Sequence, residues 1–233
     1  MPQQIILFDI NETILNLGQL KPKFKQYFGN ELFLDTWFSM LLHSSTVCLT
    51  TKVETNFKDL ALANLNTLAG RLDKSLTTEQ RSDIISSLAN LPAHDDIKPA
   101  LVLLRSEGFK LVAFSNSSET LLRSQLNNAG LTDYFDNAIS VESAKTFKPS
   151  QDAYQFAIKK LNTASHDVTL VAAHDWDTHG ALCAGLSAAF IDRFNAQYNP
   201  TYKEPEIIGN TMGEVAVKLI ESKRPNLTSE NRS

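Results

Sequence analysis

The chain has 233 residues, 42% of them hydrophobic and 21% charged, with a formal net charge of −4. That length suits one domain with an insertion, or a domain plus a small cap, and it can bury a sizeable core. No Lys/Arg-rich run appears, which argues against nucleic acid or an anionic membrane surface as a partner, and the longest apolar runs are too short to span a bilayer.

The N-terminal run Ile5-Ile6-Leu7-Phe8-Asp9 follows neither a basic start nor a small-residue cleavage site, so it reads as a first strand and not as a signal peptide. From about residue 16 to 93 no convincing strand occurs. Helical patterns fall near 20–28, 31–44, 53–70 and 77–90, and the last opens on the capping-box pattern Thr77-Thr78-Glu79-Gln80. Pro92 and Ala93-His94-Asp95-Asp96 look like the hinge by which the chain returns. Beyond it, short apolar or β-branched runs at 109–115, 137–141, 168–173 and 188–192 alternate with helical patterns at 96–107, 118–129, 150–161, 178–185 and 212–222. The tail from Arg224 is polar and reads as frayed; it contains Asn226-Leu227-Thr228, a glycosylation triplet with no meaning in the absence of a secretory signal.

Strand–helix alternation of this kind predicts a doubly wound α/β parallel sheet, Rossmann-like in its layering, with an α-helical insertion after the first strand. Residues 1–15 and 94–223 would form the core, 16–93 a helical cap, and 224–233 a flexible tail. Cys48 and Cys183 lie in apolar stretches without metal-ligand spacing, so buried reduced thiols in a cytoplasmic protein are the expectation.

In open α/β sheets ligands bind beyond the carboxyl ends of the strands. The segments to inspect are therefore Asp9 to Thr13, Ser115 to Ser118, Lys145 to Lys148, and His174 to Asp177, and each is polar. These four clusters, in this order, resemble the haloacid dehalogenase superfamily. Asp9-Ile10-Asn11-Glu12-Thr13 is similar to its Asp-x-x-x-Thr motif, Phe114-Ser115-Asn116 to its strand-end Ser or Thr, Phe147-Lys148-Pro149 to its Lys, and Val171 to Ala181 to its fourth motif. Trp176-Asp177 followed by Gly180-Ala181, and Tyr154 six residues after Lys148, resemble the 2-haloacid dehalogenase branch.

A strand-end carboxylate can attack carbon or phosphorus and leave an ester or acyl phosphate for water to split. Asp9 is the expected nucleophile. Phosphatases of the superfamily carry a second Asp two residues on, where this chain has Asn11, and an amide cannot relay a proton. They also hold Mg²⁺ with a carboxylate four residues before the position of Asp177, where this chain has Ala173; Asp175 is out of register by two. Halide departure needs neither proton relay nor metal. The resemblance thus implies a cofactor-independent hydrolase in which Asp9 displaces halide from the Cα of a small anionic 2-haloacid and water opens the ester to a 2-hydroxy acid. Two alternatives stand beside it: a phosphatase with an atypical Mg²⁺ site recruiting Asp175 or Asp177, and a catalytically weakened binding protein of the same fold.

Lys148 is the expected cationic partner of Asp9. Ser115 and Asn116, with backbone N–H groups at Ile10 and beyond, are candidate donors to a substrate carboxylate, and Thr13 would steady the Asp9 loop. Two roles are open to Asp177: activating water, or holding Lys148. Tyr154 could orient Lys148 or simply pack. His174 stands where the resembled branch often has Asn, and could assist water, line a halide pocket or be structural; His43 and His179 read as structural. Trp37, Phe38 and Phe57 supply an apolar wall, joined by Trp176. One departure is clear: dehalogenases of this branch usually place an Arg in the first cap helices to receive halide, and Asp35 to Met40 contains none. A homodimer is what the resemblance suggests.

Overall fold

The computed structural model describes residues 4–223, so the tail and its glycosylation triplet lie outside the described residues. Six strands, β1 (Ile5–Phe8), β2 (Lys110–Ser115), β3 (Asn137–Ser140), β4 (Val168–Ala172), β5 (Ser187–Ile191) and β6 (Ile207–Gly209), form one sheet in the order β3-β2-β1-β4-β5-β6. Every pairing is parallel. The four residues of β1 are all buried, and their alternation divides them: Ile6 and Phe8 join one apolar layer, Ile5 and Leu7 the other.

Helices cover both faces, as the doubly wound expectation requires. On the Ile6 face lie α5 (Ile97–Ser106), α6 (Glu119–Asn128) and α9 (Met212–Lys223), contributing Leu101, Leu104, Leu122 and Leu219. On the Leu7 face lie α7 (Gln151–Leu161) and α8 (Asp175–Cys183), with Ala153, Tyr154 and Ala181. Ser118 and Ser150 cap α6 and α7 through their hydroxyls.

The insertion after β1 is a cap of four α-helices: α1 (Lys21–Phe28), α2 (Phe33–Thr51), α3 (Phe57–Arg71) and α4 (Thr78–Ser87). The capping box forms, with Thr77 accepting from Gln80 N and Gln80 accepting from Thr77 N. Phe24, Trp37, Leu41 and Leu65 are buried in the same apolar layer as Ile14 and Phe8, so cap and sheet share one core. The outgoing and returning strands of chain pair where they cross: Leu15 bridges Ala93, Asn16 N donates to Pro92 O and His94 N donates to Ile14 O.

Several details differ from the sequence expectation. β6 spans three residues, too few to show a periodicity. Helix α2 continues to Thr51, and α8 begins at Asp175 rather than 178, which places Asp177 in its first turn. The expectation of buried thiols is corrected: Cys48 is half-buried and Cys183 is exposed, its sulfur near the His179 ring. Among the described residues no single helix is long and apolar enough to cross a membrane.

Candidate active site

Strand order reverses at β1: β2 and β3 lie to one side of it, β4 to β6 to the other. The crevice at such a switch point opens between the ends of β1 and β4. Asp9 leaves β1 there, its N–H still bonded to Val171 O of β4. The following loop is tightly wound, with Ile14 N and Leu15 N both donating to Ile10 O. Thr13 pins the carboxylate, its hydroxyl donating to Asp9 Oδ2 at 2.7 Å while accepting from Ala173 N at 2.8 Å.

Lys148 closes the other side. Its Nζ donates to Asp9 Oδ1 at 2.8 Å and Asp177 Oδ2 at 2.6 Å, and sits 5.1 Å from the centre of the Phe114 ring. Asp177 is fully buried, and Tyr154 donates to its Oδ1 at 2.6 Å. Of its two open roles, the geometry favours partner to Lys148, because both oxygens already accept hydrogen bonds and none of the side chain is exposed. Tyr154, expected to orient Lys148 or simply pack, is sealed behind the site and holds Asp177, not Lys148.

His174 occupies the end of β4. Its Nε2 is 2.7 Å from Glu12 Oε2, and its Nδ1 is 3.4 Å from Asp9 Oδ2. Trp176 stacks on the ring with centroids 5.1 Å apart, and Phe38 lies on it at 6.1 Å. Burial works against charge on His174, but the Asp9 and Glu12 carboxylates outweigh it and push the imidazole up to about 10. Burial likewise opposes the charge on Asp9, yet Lys148 and His174 hold it well below the usual carboxylate range. Burial and the Asp9 charge push Asp177 upward against the pull of Lys148. Of the two carboxylates on Lys148, Asp9 is thus pulled down and Asp177 pushed up.

The remaining expected residues divide into wall and frame. Asn116 is a frame residue, correcting its place as a substrate donor: its Oδ1 accepts from Lys148 N and its Nδ2 donates to Lys148 O. The Ser115 hydroxyl accepts from Ser117 N and shapes the turn after β2. Ile10 is buried in the core, so only its backbone can meet a ligand. Trp37 is also fully buried, its indole N–H bonded to Ala61 O, and it joins α2 to α3. A cleft of about 650 Å³ is lined by Asn11, Phe38, Phe57, Leu121 and Ser117, with an edge of Trp37. A second, of about 540 Å³, is lined by Glu12, His174, Trp176, Lys21 and Arg193. Phe38 borders both, while Asn11 and Glu12 open one into each. Among the described residues Lys58 is the one basic residue lining the first of these clefts, and no arginine lines it.

Three contributors went unassigned in the sequence. Glu12 adopts φ 67 and pairs with His174. Gln125 is a fully buried amide on α6 that donates to Asn11 Oδ1 and Leu88 O; a Gln between Leu122 and Leu126 on an apolar face was its signal. Arg193 follows β5 and clamps Asp96 and Thr13 O, so inspection of that strand end as well would have found it.

A divalent metal does not fit these residues. Asp175 turns away, accepting from Trp176 N and Asn199 N, and both Asp177 oxygens are bound within the core. Among the described residues no group of three His, Cys, Asp or Glu is arranged to hold a metal ion. The ammonium of Lys148 already sits between the two carboxylates where a cation would bind.

Residues 3–185 match the family model described as haloacid dehalogenase-like hydrolase. The chain belongs to this family. It is similar to (S)-2-haloacid dehalogenase 2 of Pseudomonas sp. (strain CBS-3), 24% identical over 213 residues covering 90% of this chain and 93% of that protein. It is 31% identical to (S)-2-haloacid dehalogenase 1 of the same strain over 118 residues, 51% of this chain and 52% of the relative. The fold matches the L-2-haloacid dehalogenase of Xanthobacter autotrophicus with chloropropionic acid covalently bound, with a TM-score of 0.88 at 19% identity, covering 95% of this chain and all of the other. Among the haloacid dehalogenase-like hydrolases, then, 2-haloacid dehalogenases are its near neighbours in sequence and shape.

Proposed function

We propose that this hydrolase acts on small 2-haloacids, with Asp9 displacing halide from the Cα and water then opening the ester to a 2-hydroxy acid. The observation that carries the reading is the setting of Asp9: a buried carboxylate kept ionised by Lys148 and His174, with an amide two residues on and, among the described residues, no group of three donors arranged for a metal. Such a group can attack carbon bearing a good leaving group, whereas an alkoxide leaving from phosphorus needs a proton. Lys148 offsets repulsion between Asp9 and an anionic substrate. Asn11, tied to Gln125 and Ser117, presents its amide at the cleft floor, beside the walls of Phe38 and Phe57. The chloropropionic acid covalently bound in the Xanthobacter enzyme supports the same substrate class. No cofactor is part of this scheme.

The test is to incubate wild type and Asp9→Asn with 2-chloropropionate and with p-nitrophenyl phosphate, each with Mg²⁺ or EDTA. Halide release that survives EDTA and is absent in the variant is the expected result. Metal-dependent nitrophenol release would overturn the reading in favour of a phosphatase, and ligand-induced stabilisation without turnover would favour a binding protein.

A further inference from the structure

Opening an ester needs water beside a proton acceptor. Asp177 is unsuited to this, since Lys148 and Tyr154 bind its two oxygens at 2.6 Å each and none of its side chain is exposed. The Glu12–His174 pair is arranged differently. Glu12 holds φ 67, a left-handed conformation that a non-glycine residue keeps only where its surroundings fix it. From there its carboxylate reaches His174 Nε2 at 2.7 Å. The opposite nitrogen, Nδ1, is buried without a hydrogen-bond partner and lies beside the nucleophile, 3.4 Å from Asp9 Oδ2. Carboxylate, imidazole and nucleophile thus stand in sequence, with Trp176 and Phe38 fixing the ring. Resting on the dehalogenase reading above, we propose that His174 is the general base for hydrolysis of the Asp9 ester, that Glu12 positions it, and that esterification of Asp9 releases it for that role.

Before reaction the imidazolium lies between two carboxylates, which overcome the burial penalty on its charge. In the first step an Asp9 oxygen bonds to the substrate Cα, and the carbon–halogen bond breaks with its electron pair leaving on halide. The Asp9 charge disappears. Burial of His174 is then opposed by Glu12 alone, and the ring releases its proton. The remaining charged or titratable groups are Lys148 and Asp177 behind Asp9, and Lys21, Asp35, His94 and Arg193 around the adjoining cleft. Arg193 is paired with Asp96, and His94 Nε2 faces Glu12 O. In the second step neutral His174 takes one proton from water as the water oxygen bonds to Asp9 Cγ. The Cγ–O bond to the substrate then breaks, and the second water proton passes to the departing oxygen, giving the hydroxy acid. Asp9 carboxylate and His174 imidazolium are restored. One water is consumed, one halide and one proton are released, and the proton departs in the first half-reaction.

The experiment follows halide, hydroxy acid, protein mass and proton release in time after mixing wild type, His174→Ala or Glu12→Gln with 2-chloropropionate. His174→Ala is expected to release one halide per site and accumulate an ester adduct that opens on the order of 10²–10⁴-fold more slowly. Glu12→Gln keeps a hydrogen-bonding partner but removes its charge. The acid limb of the pH profile for ester opening should therefore move to lower pH while the halide burst remains. In wild type the proton should appear with the halide burst. An ester that opens at the wild-type rate in His174→Ala overturns the proposal. So does a fall in halide release and hydrolysis together without an adduct, or an unmoved acid limb in Glu12→Gln. Wild type that releases no halide from any 2-haloacid overturns instead the reaction class on which the proposal rests.

Discussion

Replacing Lys148 with Met removes the cation shared by Asp9 and Asp177 while keeping most of the side-chain volume. Its Nζ lies 2.8 Å from Asp9 and 2.6 Å from Asp177, and the three side chains are 1%, 8% and 0% exposed, so water cannot take its place. Deleting one partner of a buried ion pair costs about 3–5 kcal/mol. For a chain of this size that lowers the Tm by roughly 6–20 °C. The dependence on pH carries a sign. In wild type, Asp9 is held below its ordinary value of 3.8 despite burial, so it contributes stability above that pH which is lost on acidification. In the variant that contribution shrinks, and Asp177, already pushed upward by burial and by Asp9, loses its cation and rises further. A raised carboxylate contributes stability below its unfolded pKa and loses it as pH rises. The deficit relative to wild type should therefore be larger at pH 7.5 than at about pH 4. Urea unfolding at both pH values measures it, and halide release should fall because a proton now resides on the carboxylate pair. A deficit below about 1 kcal/mol, or one equal at both pH values, would refute the account of Lys148 as the cation on which both carboxylates depend.

Three further outcomes are expected. The His174 imidazole is pushed from 6.5 to about 10, so its contribution is fully present below pH 6.5 and lost as pH rises toward 10. Urea unfolding should show wild type losing on the order of 5 kcal/mol more than His174→Asn over that window, and parallel curves for the two proteins would contradict it. In Gly180→Ala the new Cβ would stand 2.6 Å from Tyr154 Oη and 2.7 Å from Pro149 Cβ, a clash costing about 1–3 kcal/mol that also displaces the partner of Asp177. A wild-type Tm and halide-release rate would rule that out. Phe38→Ala removes the ring that borders both clefts, so a stability loss of about 3–5 kcal/mol should accompany a KM that rises more than kcat falls, and an unchanged KM would show that Phe38 does not shape the substrate cleft.

Most of the parallel strands were legible because their buried runs are largely apolar on both faces and bounded by turn residues. Ile5–Phe8 and Val168–Ala172 carry that pattern plainly. The short β6 was not, since three residues hold no period and the strand exists through pairing with β5. The start of α8 was placed three residues late. His174-Asp175-Trp176-Asp177 reads as a polar strand-end cluster, whereas in the fold His174 is already the residue before the helix and Asp177 lies within its first turn. Roles proved harder to read than positions. Asn116 and Tyr154 are the polar types that bind ligands, but both are turned to the frame of the site, one holding the Lys148 backbone and the other Asp177.

The sequence alone determined the order of the elements, the helical insertion after β1 and the four polar clusters at strand ends, because these follow from hydrophobic period, caps and the residues adjoining each strand. It also determined what is missing, an acid at Asn11 and a metal carboxylate at Ala173. Only the tertiary structure decided which of the collected groups touch. Lys148 and Asp9 are 139 residues apart and His174 and Glu12 162, and their distances are set by the strand order around β1. That order brings one buried ammonium between Asp9 and Asp177 and one imidazole between Asp9 and Glu12. The charge state of Asp9 depends on those contacts, since the protonation of a buried group is decided by its neighbours in space.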